Sequence, residues 1–478
     1  MKLSKMIVCA VALLLVSQSA LARRTDWRQM TVGHFHLYST LRDSKTREIA
    51  MQLQAFERTV GEFLQTEDRL PDVPTIVYIL DAGDFLRYGT NRPGLAGVFY
   101  ERPYANVMVI NGDLSFDFVK VTVFHEYTHF IQRNSSTRKM PPWFTEGYAE
   151  LFSGFRVKEN KITVGDLPAG VGVDMHNWIS IERLLAVKQS DPEYRAERLA
   201  PQFYGESWAL VHMLLFDDKS LTGPTNNYLE NLDVGVPEPD AFANAFPFDK
   251  KALDHAVRKL IDGRVIRIKT VTYLHGVALD DAPIASLSAG QADAQMARLS
   301  FMLGWSKETG ALAAAALKEN PTDVGIRALS ARIAAGSRED ISDIASQLAK
   351  GGASDAQLRI DVAATLLNQD RPKEAADQAF GILDELVHTA SAPLEAVALW
   401  VGAAALAHVD AARLLTPLEA SSARAPHNTE LLRDLAAVHE TLRDKAKARD
   451  CYERIILVSD RSDERLWAQK QMDSARLQ

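Results

Sequence analysis

The residues of this chain best suited to chemistry lie between positions 125 and 150. His125-Glu126-Tyr127-Thr128-His129 sets two imidazoles four residues apart. On a helix that separation is about 400°, so both rings leave one face and can share a metal ion. The flanks favour a helix: Val119, Val121, Val123 and Phe124 precede the motif, Phe130 and Ile131 follow, and no Gly or Pro interrupts it. Glu126, rotated by about 100° from His125, reaches a water on the ion rather than the ion itself, which is the place of a general base. After a further sixteen residues comes Glu146, inside Pro142-Trp143-Phe144-Thr145-Glu146-Gly147-Tyr148-Ala149-Glu150-Leu151. A catalytic zinc takes three protein ligands and keeps a fourth position for water. A carboxylate on an antiparallel second helix, joined by the short Asn134–Pro142 connection, supplies the third ligand. Glu150 shares a helical face with Glu146 and is placed to accept a hydrogen bond from the far nitrogen of a ligating histidine, fixing its tautomer. An ordinary surface carboxylate would fit that spacing equally well. A helix with two surface histidines beside a glutamate is likewise the competing account of the five-residue motif alone; the downstream Glu146 tips the balance toward a metal centre.

His-Glu-x-x-His followed by Trp-Phe-x-Glu-Gly-x-Ala-Glu resembles the gluzincin metallopeptidases, which include the aminopeptidase N and thermolysin groups. It is most similar to the peptidase-MA-like families, often fused to tetratricopeptide arrays. The motifs cover about residues 119–215, and the general layout about 30–275. The resemblance implies an α+β gluzincin-type peptidase fold, one zinc ion held by His125, His129 and Glu146, Glu126 as general base, and Glu150 as an acid behind the ligands. In the aminopeptidase branch a tyrosine some sixty residues after the ligand glutamate steadies the oxyanion from the start of a helix. Here Tyr204 stands 58 residues after Glu146 in Tyr204-Gly205-Glu206-Ser207-Trp208-Ala209-Leu210. A donor to the developing oxyanion makes chemical sense because its stabilisation grows in the transition state; a helix-capping aromatic packed in the core is the alternative. His176 and His212 read as structural or surface histidines. One departure matters. The aminopeptidases carry a Gly-x-Met-Glu-Asn strand whose Glu binds the substrate amine, whereas Gly94-Leu95-Ala96-Gly97-Val98-Phe99-Tyr100 lacks that Glu. Exopeptidase action therefore does not carry over, although such a strand, at a sheet edge, can still pair with a peptide backbone.

These residues need a scaffold, and the hydrophobic pattern outlines one. His34–Tyr38 alternates as a strand, Asp43–Leu64 has amphipathic helical spacing, and Thr75–Leu80 is a second strand. Gly97–Tyr100 and Asn106–Ile110 read as a strand pair around a Pro-containing turn. From Val119 to about Leu260 the pattern is mainly helical, with loop chemistry at Asn134–Pro142, Val164–Val173 and Gly223–Pro239. Residues 264–285 are strand-like, then polar, and mark a boundary between a peptidase-like domain at 23–275 and a helical domain at 286–478. Beyond it Ala becomes frequent and aromatics rare. Two windows resemble a tetratricopeptide unit: Val362, Ala363, Leu366 with Ala375, Ala379, Ile382, Leu383, and Leu432, Leu435, Ala436 with Ala448, Tyr452, Ile455, Ile456. Ala375 and Ala448 are 73 residues apart, close to two periods of about 34. A plain helical domain packed on the first remains the other reading, and the helical domain is expected to fold as a stable unit.

With 47% hydrophobic and 24% charged residues over 478 positions, the chain has the composition of a multidomain globular protein. Lys2, Lys5, the apolar run Met6–Val16 and Ala20-Leu21-Ala22 read as a secretory signal cleaved after Ala22, too short to span a membrane. Cys9 lies in that run without a lipobox. Cys451 is then the single thiol of the mature chain, expected to be buried in a helix; with no disulfide available, a bacterial periplasm fits the export signal best. The net charge of −8 argues against nucleic acid or anionic lipid as partner. The sequence therefore predicts an exported zinc peptidase acting on a peptide or protein, with the helical repeats engaging a partner or presenting substrate. The alternatives are an exported interaction scaffold whose peptidase-like domain is inactive or gated, and a hydrolase of a non-peptide amide or of the cell wall.

Overall fold

The computed structural model describes residues 26–476 apart from 65–72, 91–94, 136–139, 159–160, 169–171, 197, 264–265, 273–281, 305, 335–340, 351–354, 369–371 and 460. The expected export signal, with Cys9 and the junction at Ala22, lies outside the described residues. Among the described residues no helix is long and apolar enough to cross a membrane.

The architecture is mixed α/β. Strands β1 (Arg28–Val32), β2 (Phe35–Ser39), β3 (Thr75–Leu80), β4 (Gly97–Tyr100) and β5 (Asn106–Asn111) come first. A small antiparallel sheet of β6 (Arg156–Lys158), β7 (Lys161–Val164) and β8 (Lys269–Thr272) follows, and β9 (Ile284–Ser286) closes the set. The main sheet has the order β4-β5-β3-β2-β1-β9. Its β2–β3 and β3–β5 pairs are parallel; β1–β2, β4–β5 and β1–β9 are antiparallel. Between their polar ends, strands β3 (Ile76–Leu80) and β5 (Val107–Ile110) are continuously apolar because both their faces are covered. Val77, Ile79, Met108 and Ile110 join Phe35 and Leu37 in one core with helices α1 (Asp43–Leu64) and α2 (Phe116–Ser135). Tyr78, Leu80, Val107 and Val109 face the other way.

The segment after the sheet is helical: α3 (Pro142–Ser153), α4 (Ile181–Ala186), α5 (Pro192–Arg195), α6 (Ala200–His212), α7 (Thr222–Asp233), α8 (Glu238–Ala245) and α9 (Lys250–Gly263). The loop expected over Gly223–Pro239 is therefore mostly helix. Gly223 and Pro224 fall in the first turn of α7, where the missing N–H of proline breaks no intrahelical bond. The turn is confined to the residues after Asp233, around Gly235 with its φ of +86°.

From Ala289 onward helices follow one another: α10 (Ala289–Leu303), α11 (Ser306–Glu319), α12 (Val324–Ile333), α13 (Ser342–Ala349), α14 (Ala356–Leu367) and α15 (Pro372–Val387). They continue as α16 (Leu394–Ala407), α17 (Leu415–Arg424), α18 (Thr429–Thr441), α19 (Lys445–Val458) and α20 (Ser462–Arg476). Packing is largely between neighbours in sequence, as in a solenoid. The two windows read as repeat units are the helix pairs α14–α15 and α18–α19, one pair apart, and all their named positions except the half-buried Ile456 are buried. Cys451 is buried in α19, where burial pushes its thiol pKa up to about 11. The first helices do not stand clear of the sheet: Ala292, Met296 and Leu299 of α10 share a core with Tyr78, Leu80, Val107 and Val109. Deeper in the array Asp361, 1% exposed, receives Arg298 at 2.6 Å and Arg332 at 2.9 Å, and Arg332 also pairs with Glu395. One buried carboxylate thus ties α10, α12 and α14 together, with Glu395 of α16 joined through Arg332, an arrangement in which loss of Asp361 leaves buried guanidinium charge uncompensated.

Glu206 in α6 is fully buried. One carboxylate oxygen accepts the Ile179 N–H at 2.8 Å and the Gln202 amide, and the other has no partner. Burial pushes its pKa up to about 7, partly offset by those hydrogen bonds. A carboxyl that holds its proton to higher pH when folded favours the native state while protonated, and the benefit fades as pH rises from the unfolded value, about 4.3, through about 7. Glu206→Gln keeps the acceptor and cannot ionise. In thermal melts the variant should match the wild type near pH 5 and melt several degrees higher near pH 8; a constant offset at both pH values would show that ionisation of Glu206 is not the cause.

Candidate metal centre

Helix α2 divides cleanly. Val119, Val123, Phe124, Tyr127, Phe130 and Ile131 are buried on the sheet side, and His125, Glu126 and His129 fall within about 100° of arc on the opposite side. The inner face carries a polar anchor as well: Tyr127 donates to Glu57 of α1 at 2.6 Å, and His34 lies 2.8 Å from the same oxygen. Helix α3 begins at Pro142, an N1 proline that presets the first turn, and buries Glu146 and Glu150 on one face.

The packing of α2 on α3 brings three donor atoms together. His125 Nε2 and His129 Nε2 are 3.1 Å apart, and Glu146 Oε2 lies 3.1 Å from the first and 3.2 Å from the second. A triangle with edges near 3.1 Å has its corners about 1.8 Å from its centre, so an ion slightly above its plane sits about 2.0–2.1 Å from all three, the bond length of zinc to nitrogen and oxygen. These three residues form a compact potential metal-holding group. The chemistry of the donor set fits as well: one proton cannot serve three mutually facing atoms, whereas one cation can. Burial alone would raise the Glu146 pKa, but hydrogen bonds from His125 and His129 outweigh it and hold the carboxyl well below the usual range. Burial of His125 works to lower its pKa; the bonds to Glu146 and Glu150 override it.

Each remaining residue named from the sequence has a definite place. Glu150 Oε1 is 3.3 Å from His125 Nδ1, and its other oxygen accepts from Ser153 Oγ at 3.0 Å, so it lies behind the ring rather than at the ion position. Glu126 is exposed. Tyr204, half-buried on α6, has its ring 6.0 Å from the His125 ring. Gly147 explains how α6 comes so close: a Cβ there would stand 2.2 Å from the Ser207 carbonyl oxygen. His212 is buried between Asp217 at 2.9 Å and the Arg267 carbonyl at 2.8 Å, a structural role, and His176 is exposed.

Sequence reasoning missed Tyr194. Its hydroxyl donates to Glu146 Oε1 at 2.7 Å, leaving Oε2 to face the two imidazoles, and its ring packs edge-on against Tyr204. In Asp191-Pro192-Glu193-Tyr194-Arg195 it looks like a lone aromatic in a charged stretch, and nothing local marks it. Burial, then the Glu146 and Glu126 carboxylates, raise the pKa of Tyr204; burial and the Glu146 carboxylate lead in raising that of Tyr194. Both phenols therefore stay protonated donors at neutral pH. Strand β4 lies at the free edge of the main sheet and against α2. Gly97 permits this contact, since a Cβ there would meet Val119 Cγ1 at 2.8 Å and Val123 Cγ2 at 2.9 Å.

Comparison of the chain with protein-family models, with curated proteins and with solved structures finds no significant match in any of the three. The functional reading rests on the geometry above and on the motif.

A three-ligand centre makes a direct prediction. The protein should take up close to one zinc per chain, and His129→Ala should lose most of it because two ligands compete poorly with water. Tyr194→Phe should weaken affinity by roughly 10- to 100-fold, the scale for losing a group that orients a ligand. Metal analysis after dialysis against graded chelator reads both; full occupancy in His125→Ala and His129→Ala alike would remove the centre.

Proposed function

We propose that the protein is a zinc-dependent peptidase of gluzincin type, hydrolysing peptide bonds between α2, α3, α6 and the edge strand β4. The observation that carries this reading is the donor triangle of His125, His129 and Glu146 with Glu126 on the exposed side of the same helix. A zinc ion held there supplies Lewis-acid polarisation of a carbonyl and a water acidified toward pKa about 7. Glu126 accepts the proton of the attacking water and returns it to the leaving amine. Tyr204 donates to the carbonyl oxygen as negative charge builds on it. Tyr194 holds Glu146 Oε1 so that Oε2 alone faces the two imidazoles, and Glu150 fixes His125 through Nδ1 with Nε2 turned toward Glu146. The free N–H and C=O groups of β4 align an extended peptide by strand addition. The gap at the family's amine-binding Glu favours action within a chain over removal of its first residue. Export to a periplasm by the N-terminal signal, and a role for the tetratricopeptide-like array in engaging protein, belong to the same proposal.

The rival reading, an exported scaffold with an inactive peptidase-like domain, has the same fold and differs in chemistry. Glu126→Gln is nearly isosteric and alters no ligand, so zinc content should be unchanged while cleavage falls by roughly 10² to 10⁴. Tyr204→Phe should lose about 10² to 10³ with zinc retained. The measurement is turnover of a periplasmic-peptide library by the full chain, with metal content checked for each variant. Equal cleavage by all three proteins would exclude these roles, and zinc binding without any cleavage by the wild type would favour the scaffold.

A further inference from the structure

The two imidazoles of the donor triangle are supported unequally. His125 Nδ1 faces Glu150 Oε1 at 3.3 Å, so its far nitrogen has an acceptor. His129 Nδ1 is buried and has no hydrogen-bond partner among the described residues. An imidazole that gives Nε2 to a metal carries its proton on Nδ1, and a buried N–H without an acceptor is unfavourable. Glu126, three residues before His129, is exposed, whereas Nδ1 is not, so the acceptor has to come from elsewhere.

Three residues after His129 the same helix holds the complementary atom. Gln132 Oε1 is buried and lacks a donor among the described residues. On α2, Gln132 lies about 60° in projection from His129 and about 20° from His125, so it belongs to the stripe that carries both imidazoles. Residues at i and i+3 are neighbours on a helix, and long side chains lean back over the preceding turn. The Gln132 side chain therefore runs toward His129. The facing helix supplies one rival. Glu146 meets His129 at 3.2 Å and Glu150 meets His125 at 3.3 Å, so four residues forward on α3 correspond to four back on α2. Three back from Glu146 is Trp143, level with Gln132, and its buried Nε1 is a second donor without an acceptor. Its indole, however, packs on Phe144 at 5.6 Å and on Tyr228 of α7 at 6.3 Å, which leaves Gln132 Oε1 to His129.

We infer that Gln132 is a positioning residue of the metal centre, accepting the His129 Nδ1–H when Nε2 is committed to the metal. A turn of its side chain or a single buried water closes the bond. His125 is then backed by an anionic carboxylate and His129 by a neutral amide, which orients the second ring without adding negative charge to the centre. The inference rests on the metal centre of the peptidase reading and not on peptide cleavage.

The test uses the full chain with ¹⁵N-labelled histidine and added zinc, and follows ring N–H resonances by NMR alongside zinc affinity. Two ring N–H signals should become slowly exchanging on zinc addition. The one moved by Glu150→Gln belongs to His125, and the other to His129. Gln132→Met, close in volume but without the acceptor, should shift the His129 signal upfield and speed its exchange roughly tenfold, the scale of one hydrogen bond. Zinc affinity should fall roughly 10- to 100-fold, with the His125 signal in place. Gln132→Glu keeps an acceptor at the same reach; it should restore slow exchange and move the His129 signal downfield of the wild type, because a charged acceptor makes the stronger bond. A role in packing alone would produce no such shift. Melting curves verify folding, and if Gln132→Met does not fold, the Gln132→Glu signal decides. A His129 signal unchanged in these variants, or movement of the Trp143 indole N–H in its place, overturns the inference while the metal centre stands. If the wild type takes up no zinc, the centre and the inference fail together.

Discussion

Three lone-pair donors held within 3.2 Å of one another are the constraint around which the sheet side of this protein is arranged. Facing atoms of this kind are poorly served by hydrogen bonds, since a proton can lie on one edge of the triangle at a time. The fold holds them there regardless. The outward face of α2 aims both imidazoles, α3 delivers a carboxylate buried to 3% exposure, and Glu150 and Tyr194 pin the ring and the carboxylate from behind. Burying a carboxylate is unfavourable by several kcal/mol unless it is paired, and Glu146 is held by Tyr194 and by the two imidazoles; the three facing donors form a group that could hold a metal ion.

The surrounding packing serves proximity. Gly147 lets α3 and α6 approach until backbone meets backbone, which brings Tyr204 beside His125. Gly97 lets β4, the strand at the edge of the main sheet, lie directly on α2. Any side chain at either position would force the packed elements apart, and shifts near 1 Å are significant for groups that must meet a reacting bond.

The helices beyond Ala289 belong to this arrangement in two ways. Helix α10 covers the second face of the sheet with Ala292, Met296 and Leu299, which is why β3 and β5 carry apolar residues on both sides. Near the other end, α18 clasps the turn after β4: Asn428 donates to the Pro103 carbonyl and Tyr104 donates to Glu430. An array fastened to the sheet at both ends can shape the cleft directly, and Asp361, shared by Arg298 and Arg332, keeps the helices between those ends in fixed register.

Much of this was legible in the sequence because it depends on local period. The i, i+4 histidines, the Glu146–Glu150 face, the alternating strands and the small residues at Ala375 and Ala448 all follow from 3.6- or 2-residue geometry within one element. Turn chemistry was less decisive: Gly223 and Pro224 look like a loop, but the first turn of a helix accepts both. Tyr194, the stacking of α10 on the sheet, the Arg298–Asp361–Arg332 bridge and the grip on Pro103 and Tyr104 join residues dozens to hundreds of positions apart. Such contacts are set by how whole elements pack, and packing depends on shape and burial across the assembled core, which a single chain's spacing does not encode. The sequence by itself therefore determined which residues can hold a metal and which strands and helices carry them; the tertiary structure alone decided which groups stand behind those ligands and what closes the cleft around them.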